Sequence, residues 1–226
     1  MNKDQKIVDL THTLSSEIPT WDGSCGFELE VTVDYKDCTA PDLFRIQKIK
    51  SNGGIGTHID APAHVIPGGQ TIDQLAIESL VTDCVVIDVS AHADENYVIM
   101  PSDVENFEKI NGKIAENSFV IFYTGWGARW DNKEKYHNDH KFPSIHQSTA
   151  ELLLERGIVG LGTDTMSCDT GANGFPVHRV ILGAGKYLVE NIANANELPP
   201  TGSTVFVLPI KIKDGTEAPI RLIAIF

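Results

Sequence analysis

The chain has 226 residues, the length of one large domain or at most two small ones on a prior of about 150 residues per domain. Hydrophobic residues make up 42% of it and charged residues 22%, which is ordinary globular usage and excludes disordered, collagen-like and coiled-coil proteins. Acidic residues outnumber basic ones by 31 to 18, a formal charge of −13, so we expect small molecules, cations or further copies of the chain as partners, with neither nucleic acid nor membrane.

Short apolar runs bounded by Gly, Pro, Asn and Asp recur along the chain and predict strands. In chain order these predicted strands cover 27–33, 84–89, 118–124, 158–162, 204–212 and 220–226. The last of them is apolar and must be covered, either inside the fold or at an interface.

Three segments between these strands predict helices. The first covers 103–110, with Ser102 as its cap, and the second covers 148–156, where Ser148 and Glu151 have capping-box spacing. A third, shorter helix is predicted over 187–193. Strands and helices alternate through the middle of the chain, which predicts an α/β fold, and the absence of a linker-like stretch predicts one domain over 1–226.

The cysteines and the N-terminus bear on the cellular compartment. The first nine residues are polar and charged, and no stretch approaches the roughly 20 apolar residues of a membrane-spanning helix. The four cysteines lack C-x-x-C spacing, so we expect reduced thiols in a cytoplasmic protein; they are Cys25, Cys38, Cys84 and Cys168.

The densest group of chemically active residues lies in the Gly- and Pro-rich segment 53–64. It contains His58, Asp60 and His64 within seven residues. Alternate residues of a strand share a face, so His58 and Asp60 project together, and Pro62 bends the chain so that His64 can return toward them. Imidazole with carboxylate is a common divalent-metal set. The residues alone leave two interpretations open, a metal or catalytic site and a hydrogen-bonded turn.

A second group follows in segment 176–191, where His178 and Glu190 stand in apolar surroundings. A carboxylate among apolar neighbours costs several kcal/mol unless a cation or hydrogen bonds compensate it. The alternative is that Glu190 lies on the solvent face of the predicted helix over 187–193.

These motifs together resemble the metal-dependent cyclase family, which includes bacterial kynurenine formamidases and isatin hydrolases. The family pattern H-x-G-T-H-x-D-x-P-x-H is matched by Gly56-Thr57-His58, Asp60, Pro62 and His64. Further matches follow in order over nearly the whole chain, at 8–12, 19–21, 124–126, 142–143, 162–169 and the pair His178 and Glu190.

The resemblance implies a cyclase-like fold with a mixed, β-rich core and flanking helices, of the swivelling β/β/α type. It implies that His58, Asp60, His178 and Glu190 bind metal, with Asp60 able to bridge two ions. It assigns proton transfer to His64 and places Trp21 in the substrate pocket. One or two divalent ions are expected, zinc first and manganese second, in a homodimer or homotetramer.

One position departs from the family pattern. The first histidine of the motif, four residues before His58, is replaced by Gly54, so one ion loses a ligand. Three outcomes are open: a single metal held by the remaining four residues, a gap filled by water or by Asn52, or loss of metal-dependent activity.

The resemblance predicts hydrolysis of a C–N bond in a small amide. A bound metal lowers the pKa of water from about 15.7 toward about 7 and polarises the carbonyl, while His64 acts as general acid and base. An arylformamide such as N-formylkynurenine is the first expected substrate and an isatin-like cyclic amide the second. The alternative, motivated by Gly54, is a small-molecule-binding member that lacks turnover.

Two competing sites are weaker. Nucleophilic catalysis by Cys168 or Ser167 is disfavoured because the neighbouring acids Asp164 and Asp169 raise a thiol pKa. A second metal site is suggested by the spacing in a polar loop, but no cysteine or carboxylate in a fitting register completes it; its histidines are His137, His140 and His146.

Overall fold

The computed structural model describes residues 5–226, without the side chain of Asn173. Its strands are β1 (Ile7–Asp9), β2 (Phe27–Val33), β3 (Ile46–Ser51), β4 (His58–Asp60), β5 (Val81–Asp88), β6 (Val98–Ile99), β7 (Phe119–Tyr123), β8 (Ser144–Ile145), β9 (Gly160–Thr163), β10 (Tyr187–Glu190), β11 (Ser203–Pro209) and β12 (Glu217–Ile225). Its α-helices are α1 (Ile77–Leu80), α2 (Pro101–Asn111), α3 (Lys133–His137), α4 (Gln147–Glu155) and α5 (Pro176–Gly183).

The main sheet closes on itself. Its order is β1-β12-β11-β5-β7-β9-β10-β4, and β4 pairs again with β12. The three residues at the start of β12 pair with β4, and its end pairs with β1 along the same edge. The predicted C-terminal strand therefore lies inside the fold, where β12 joins the two ends of a seven-stranded barrel.

Two apolar layers enclose the barrel wall. Val86 and Ile121 belong to the cluster inside the barrel, whereas their chain neighbours Val85 and Val120 belong to the cluster beneath the helices. Parallel strands buried on both faces read as continuous apolar runs rather than as alternation, which explains the runs over 84–89 and 118–124. The α/β prediction is confirmed as a mixed barrel with flanking helices.

A two-stranded hairpin, β2 with β3, lies apart from the barrel. Leu29 pairs with Ile49 and Glu28 with Lys50, so one face of the hairpin is apolar and the other charged. All residues of β3 are exposed, and Leu29 and Ile49 are 52% and 63% exposed.

Most predicted elements are confirmed, and three local predictions are wrong. The segment predicted as a helix over 187–193 is strand β10, whose four residues are buried between β9 and β4; a four-residue apolar run does not distinguish a helix from a buried strand by periodicity. Ser102 does not cap α2, which begins at Pro101 after Met100. His146, rather than Ser148, caps α4, by accepting a hydrogen bond from the Ser148 amide.

Helix α5, which carries His178, is an element that the sequence patterns did not predict. Within residues 5–226, no helix combines the length and the apolar character needed to cross a membrane.

Candidate metal centre

Three neighbouring strands bring acidic and histidine side chains to one face of the barrel wall. Glu190 of β10 is the register partner of His58 in β4, and Glu217 of β12 is the partner of Asp60. Paired residues in antiparallel strands project to the same side, and so do alternate residues of one strand. The backbone pairing therefore places all four side chains on a common face.

Local backbone features deliver the two remaining histidines. A 3₁₀ turn over Pro62–His64 follows β4 directly and turns His64 back toward the face, as the position of Pro62 predicted. Phe175 has a left-handed backbone and Pro176 occupies the first turn of α5. Asp169 accepts hydrogen bonds from the Val177 and His178 amides, which fixes the start of this helix.

Two carboxylates each lie between two imidazoles. His58 Nε2 is 3.5 Å from Asp60 Oδ1 and 3.6 Å from Glu190 Oε2. His178 Nε2 is 3.7 Å from Asp60 Oδ2 and 3.4 Å from Glu190 Oε1. Each acid thus presents one oxygen to each histidine, and the predicted residues His58, Asp60, His178 and Glu190 are brought together.

The other nitrogen of each ring is already engaged. His58 Nδ1 donates to the Gly56 carbonyl at 2.9 Å, and His178 Nδ1 donates to Asp169 Oδ2 at 2.9 Å. A carbonyl or carboxylate oxygen only accepts, so Nδ1 carries a proton and Nε2 is the nitrogen that can bind a metal. Metal-binding histidines have this arrangement, with the second nitrogen bound to a carbonyl or carboxylate.

The electrostatics favour a cation at this position. Burial, followed by the charge of Asp60, raises the pKa of Glu190. Burial alone would lower the pKa of His58, but the Asp60 and Glu190 charges outweigh it and the pKa is raised. Asp60 Oδ1 is buried and has no hydrogen-bond partner among the described residues. Imidazole nitrogens and carboxylate oxygens of this kind fit a divalent ion.

His64 and Glu217 form a pair at the edge of this set. His64 Nδ1 is 3.4 Å from Glu217 Oε2, and both side chains are about one third exposed or less. The contact raises the pKa of His64 and lowers the pKa of Glu217. The donor atoms of His64, Asp60 and His178 also lie within 4.8 Å of one another.

A cavity of about 460 Å³ opens over these groups. Trp21 lies at its wall, with its ring centroid 5.8 Å from that of Phe175, whose ring is in turn 5.6 Å from His178. His140 stacks on Trp21 at 4.0 Å. An aromatic wall therefore runs from Trp21 to the candidate metal centre.

Three residues of the site were not singled out by the sequence patterns. Glu217 lies before the apolar run that predicted the last strand, so its place opposite Asp60 needed the β4–β12 register. Asp169 was considered only as a neighbour of Cys168. Asn191 donates to the Gly56 carbonyl and accepts from the Tyr136 hydroxyl, contacts between distant segments.

The competing loop histidines lie outside this arrangement, whereas Ser167 lines the cavity and the Cys168 amide donates to Glu190 Oε1. His137 and His140 are half-buried, and both donate through Nε2 to the Trp21 carbonyl, while His146 caps α4. Burial raises the pKa of Cys168 to about 12, which disfavours a thiolate nucleophile. Asn52 is exposed and does not line the cavity.

Comparison with known proteins agrees with the fold and with the motifs. Residues 8–170 match the family model Cyclase, described as "Putative cyclase". Isatin hydrolase of Roseibium aggregatum is 27% identical over 97% of this chain and 91% of its own length. Kynurenine formamidase of Salinibacter ruber is 28% identical over 96% of each chain.

A solved structure gives the same answer. Isatin hydrolase A from Labrenzia aggregata, bound to benzyl benzoate, is 31% identical and superimposes with a TM-score of 0.86 over 98% of this chain and 93% of its own. This likeness confirms the cyclase-like fold that the sequence motifs implied. The chain therefore belongs to the Cyclase family and is an enzyme of the hydrolase class.

Proposed function

We propose that this protein is a metal-dependent amidohydrolase that cleaves a C–N bond in a small arylformamide or cyclic amide. The main support is the arrangement of Asp60 and Glu190. Each of these carboxylates has one oxygen toward His58 and the other toward His178. Among residues 5–226 neither acid pairs with a Lys or Arg, so a cation is needed to balance their charge, and the two Nε2 atoms complete a metal-ligand set.

Four side chains would hold the metal: His58, Asp60, His178 and Glu190. The two oxygens of each acid face different histidines, so these four residues could hold one ion or two ions bridged by the carboxylates. Zinc is the first choice and manganese the second, since both accept imidazole with carboxylate. When bound, the cation supplies Lewis-acid chemistry by lowering the pKa of water and polarising the amide carbonyl.

His64 is proposed as the general acid and base. Its Nδ1 faces Glu217, which leaves Nε2 for the cavity. An imidazole in this position can take a proton from water and return it to the leaving nitrogen near neutral pH. The raised pKa of His64, caused first by its contact with Glu217, increases the fraction available as an acid.

Trp21 is proposed as a substrate-binding residue. It lies in the cavity wall near Phe175, and an aromatic wall suits an aryl or bicyclic amide through offset or edge-to-face contacts. The relatives act on kynurenine-type and isatin-type amides by name. An arylformamide is our first substrate class and an isatin-like ring the second.

Metal analysis combined with amide hydrolysis tests this function. The protein, purified without chelator, is analysed for metal by mass spectrometry and assayed on N-formyl arylamines and isatin with added Zn²⁺ or Mn²⁺. We expect metal and hydrolysis in the wild type, and loss of both in His58→Ala. His92→Ala is the matched control, since this exposed histidine lies outside the donor set and does not line the cavity.

Two outcomes would count against the proposal. Metal content unchanged in His58→Ala would remove the ligand assignment. Bound metal with no hydrolysis of either amide class would favour the alternative that Gly54 motivated, a small-molecule-binding member without turnover.

A homodimer, or a homotetramer built from dimers, is part of the proposal. An isolated two-stranded hairpin is marginal in water, and the apolar face of β2–β3 exposes Leu29 and Ile49. A second copy is the proposed cover because two identical uncharged faces can meet where the rest of a chain of charge −13 repels. Light scattering should show a dimer or larger, and Ile49→Asp should yield a monomer.

A cytoplasmic location is proposed as well. Its support is that all four cysteines are free thiols, the usual state in a reducing compartment.

A further inference from the structure

Gly54 leaves a space that another side chain fills. A Cβ atom built at Gly54 would overlap Glu217 Oε1 and would stand 3.3 Å from His58 Nε2. A Cβ built at Gly53 would lie 3.1 Å from both Cβ and O of Glu217. The two glycines therefore allow the first residue of β12 to approach closely, and the Glu217 carboxylate occupies the volume of a side chain at position 54.

The strand register directs Glu217 toward the metal centre. It stands opposite Asp60 across the β4–β12 pair, and like charges in directly opposed positions repel each other. Asp60 Oδ1, on the same face, is buried without a hydrogen-bond partner among residues 5–226. A cation between the strands would relieve the repulsion and satisfy that oxygen.

We propose that Glu217 takes the place of the family histidine at position 54 and is a ligand of the divalent ion beside His58. This inference rests on the proposed metal-dependent function. Glu217 Oε2 contacts His64, and Oε1 lies on the His58 side. The carboxylate is the far end of a flexible side chain, so a change in its own torsions brings an oxygen to the ion while the backbone stays in place.

Replacing an imidazole by a carboxylate changes which metal the site prefers. The ligands around His58 become one nitrogen and oxygens from Asp60, Glu190 and Glu217. Carboxylate oxygens suit Mn²⁺, whereas imidazole suits Zn²⁺. Relative to a variant with a histidine at position 54, the natural chain should therefore favour Mn²⁺ over Zn²⁺.

Direct metal titration of the full chain tests this inference. Dissociation constants for Mn²⁺ and Zn²⁺ are measured by calorimetry with a competing chelator on protein stripped of metal. The variants are Glu217→Gln, Gly54→His, and the double variant Gly54→His with Glu217→Ala. Glu30→Gln, which changes an exposed strand carboxylate of the β2–β3 hairpin, is the matched control.

We expect Glu217→Gln to weaken Mn²⁺ binding by at least about tenfold, since even outer groups of a metal site are worth about 10–100-fold. Gly54→His alone should also weaken it, because the new side chain and Glu217 compete for one space. The double variant should recover binding and shift the Zn²⁺ to Mn²⁺ affinity ratio toward Zn²⁺. Glu30→Gln should match the wild type.

An unchanged Mn²⁺ constant in Glu217→Gln, with metal lost in His58→Ala, overturns the role of Glu217 and leaves the proposed function standing. Metal retained by His58→Ala overturns the proposed function itself. If Glu217→Gln does not fold, the double variant Gly54→His with Glu217→Ala gives the test. If it folds and binds metal no better than Gly54→His alone, the proposal that Glu217 replaces a histidine ligand is overturned.

Discussion

The carboxylate of Glu108 and those of the barrel wall are all buried, but the charge is compensated differently in the two places. Glu108 of α2 receives two hydrogen bonds from Arg156, at 2.7 and 3.1 Å, and a further one from Lys113. Asp60 and Glu190 are also buried, but their ionisable partners are imidazoles, and Glu190 accepts one further hydrogen bond from the Cys168 amide. The Arg156 contact comes first in lowering the pKa of Glu108 to about 2, whereas burial raises the pKa of Glu190.

The contrast separates a structural acid from an acid that needs a ligand. Arg156 and Lys113 complete the charge balance of Glu108 and tie α2 to α4. At the barrel wall the chain supplies acids and imidazoles whose Nε2 atoms face them, and one oxygen of Asp60 has no hydrogen-bond partner among residues 5–226. Buried acidic charge next to histidine nitrogens is the physical basis for inferring a metal centre at the barrel wall. Glu108, whose charge is balanced by Arg156 and Lys113, is assigned a structural role.

The largest effect is expected from Asp60→Asn. The amide removes one of the two bridging charges and replaces an acceptor oxygen by an NH₂ group that faces a histidine nitrogen. We expect metal content to fall to background and hydrolysis to drop by about a thousandfold or more, since metal activation is worth several kcal/mol. Glu108→Gln, which changes the buried acid paired with Arg156, should retain its metal; equal metal loss in both variants would contradict the contrast.

A smaller effect is expected from Asp169→Asn. Asp169 holds the Nδ1 proton of His178 and caps α5, so the variant weakens the orientation of the ring without removing a ligand. We expect metal affinity to fall by about 10–100-fold, measured by chelator competition. Wild-type affinity in a folded variant would show that α5 alone orients His178.

The pH dependence of stability tests the structural role of Glu108. The pKa of Glu108 is about 2 in the folded protein and 4.5 in its ordinary state, so its stabilisation is full above about pH 4.5 and is lost as the pH falls toward 2. Glu108→Gln should lower the free energy of unfolding by about 1–2 kcal/mol at neutral pH. The value is modest because Lys113 is largely exposed and its charge is screened by solvent. Denaturant unfolding at pH 7 and pH 3 measures this. The difference in free energy of unfolding between Glu108→Gln and the wild type should be smaller at pH 3.

The smallest effect is expected at the loop histidines that contact Trp21. His140 stacks on Trp21 and donates to its carbonyl, so His140→Ala should loosen the aromatic wall. We expect KM to rise by a few fold, the scale of about 1 kcal/mol for one such contact, with metal content unchanged. Loss of metal in His140→Ala would contradict the division between the two histidine groups.

Much of the barrel could be predicted because buried parallel strands have continuous apolar runs. The segments 84–89 and 118–124 are examples, and α2 and α4 were found from cap-like residues near their starts, although Met100 and His146 occupy the caps. The third predicted helix failed because 187–190 is a short apolar run in which helix and buried strand have the same appearance. Its residues are buried by β9 and β4, a tertiary fact that local pattern does not contain.

Some residues of the candidate metal centre could likewise be predicted from the sequence, and others could not. His58, Asp60 and His64 could be found from spacing, and His178 and Glu190 from the family resemblance. Glu217 could not, because its role depends on the pairing of β4 with β12, more than 150 residues apart along the chain. Asp169 and Asn191 act through hydrogen bonds between segments that only the fold brings together.

Anomalous scattering from a crystal of the protein grown with Mn²⁺ or Zn²⁺ shows whether a metal binds at these side chains. We expect a peak within about 2.0–2.2 Å of an imidazole nitrogen and a carboxylate oxygen, between His58, Asp60, Glu190 and His178. A map with no peak among these four side chains, or with its only peak beside His137 and His140, would contradict this expectation.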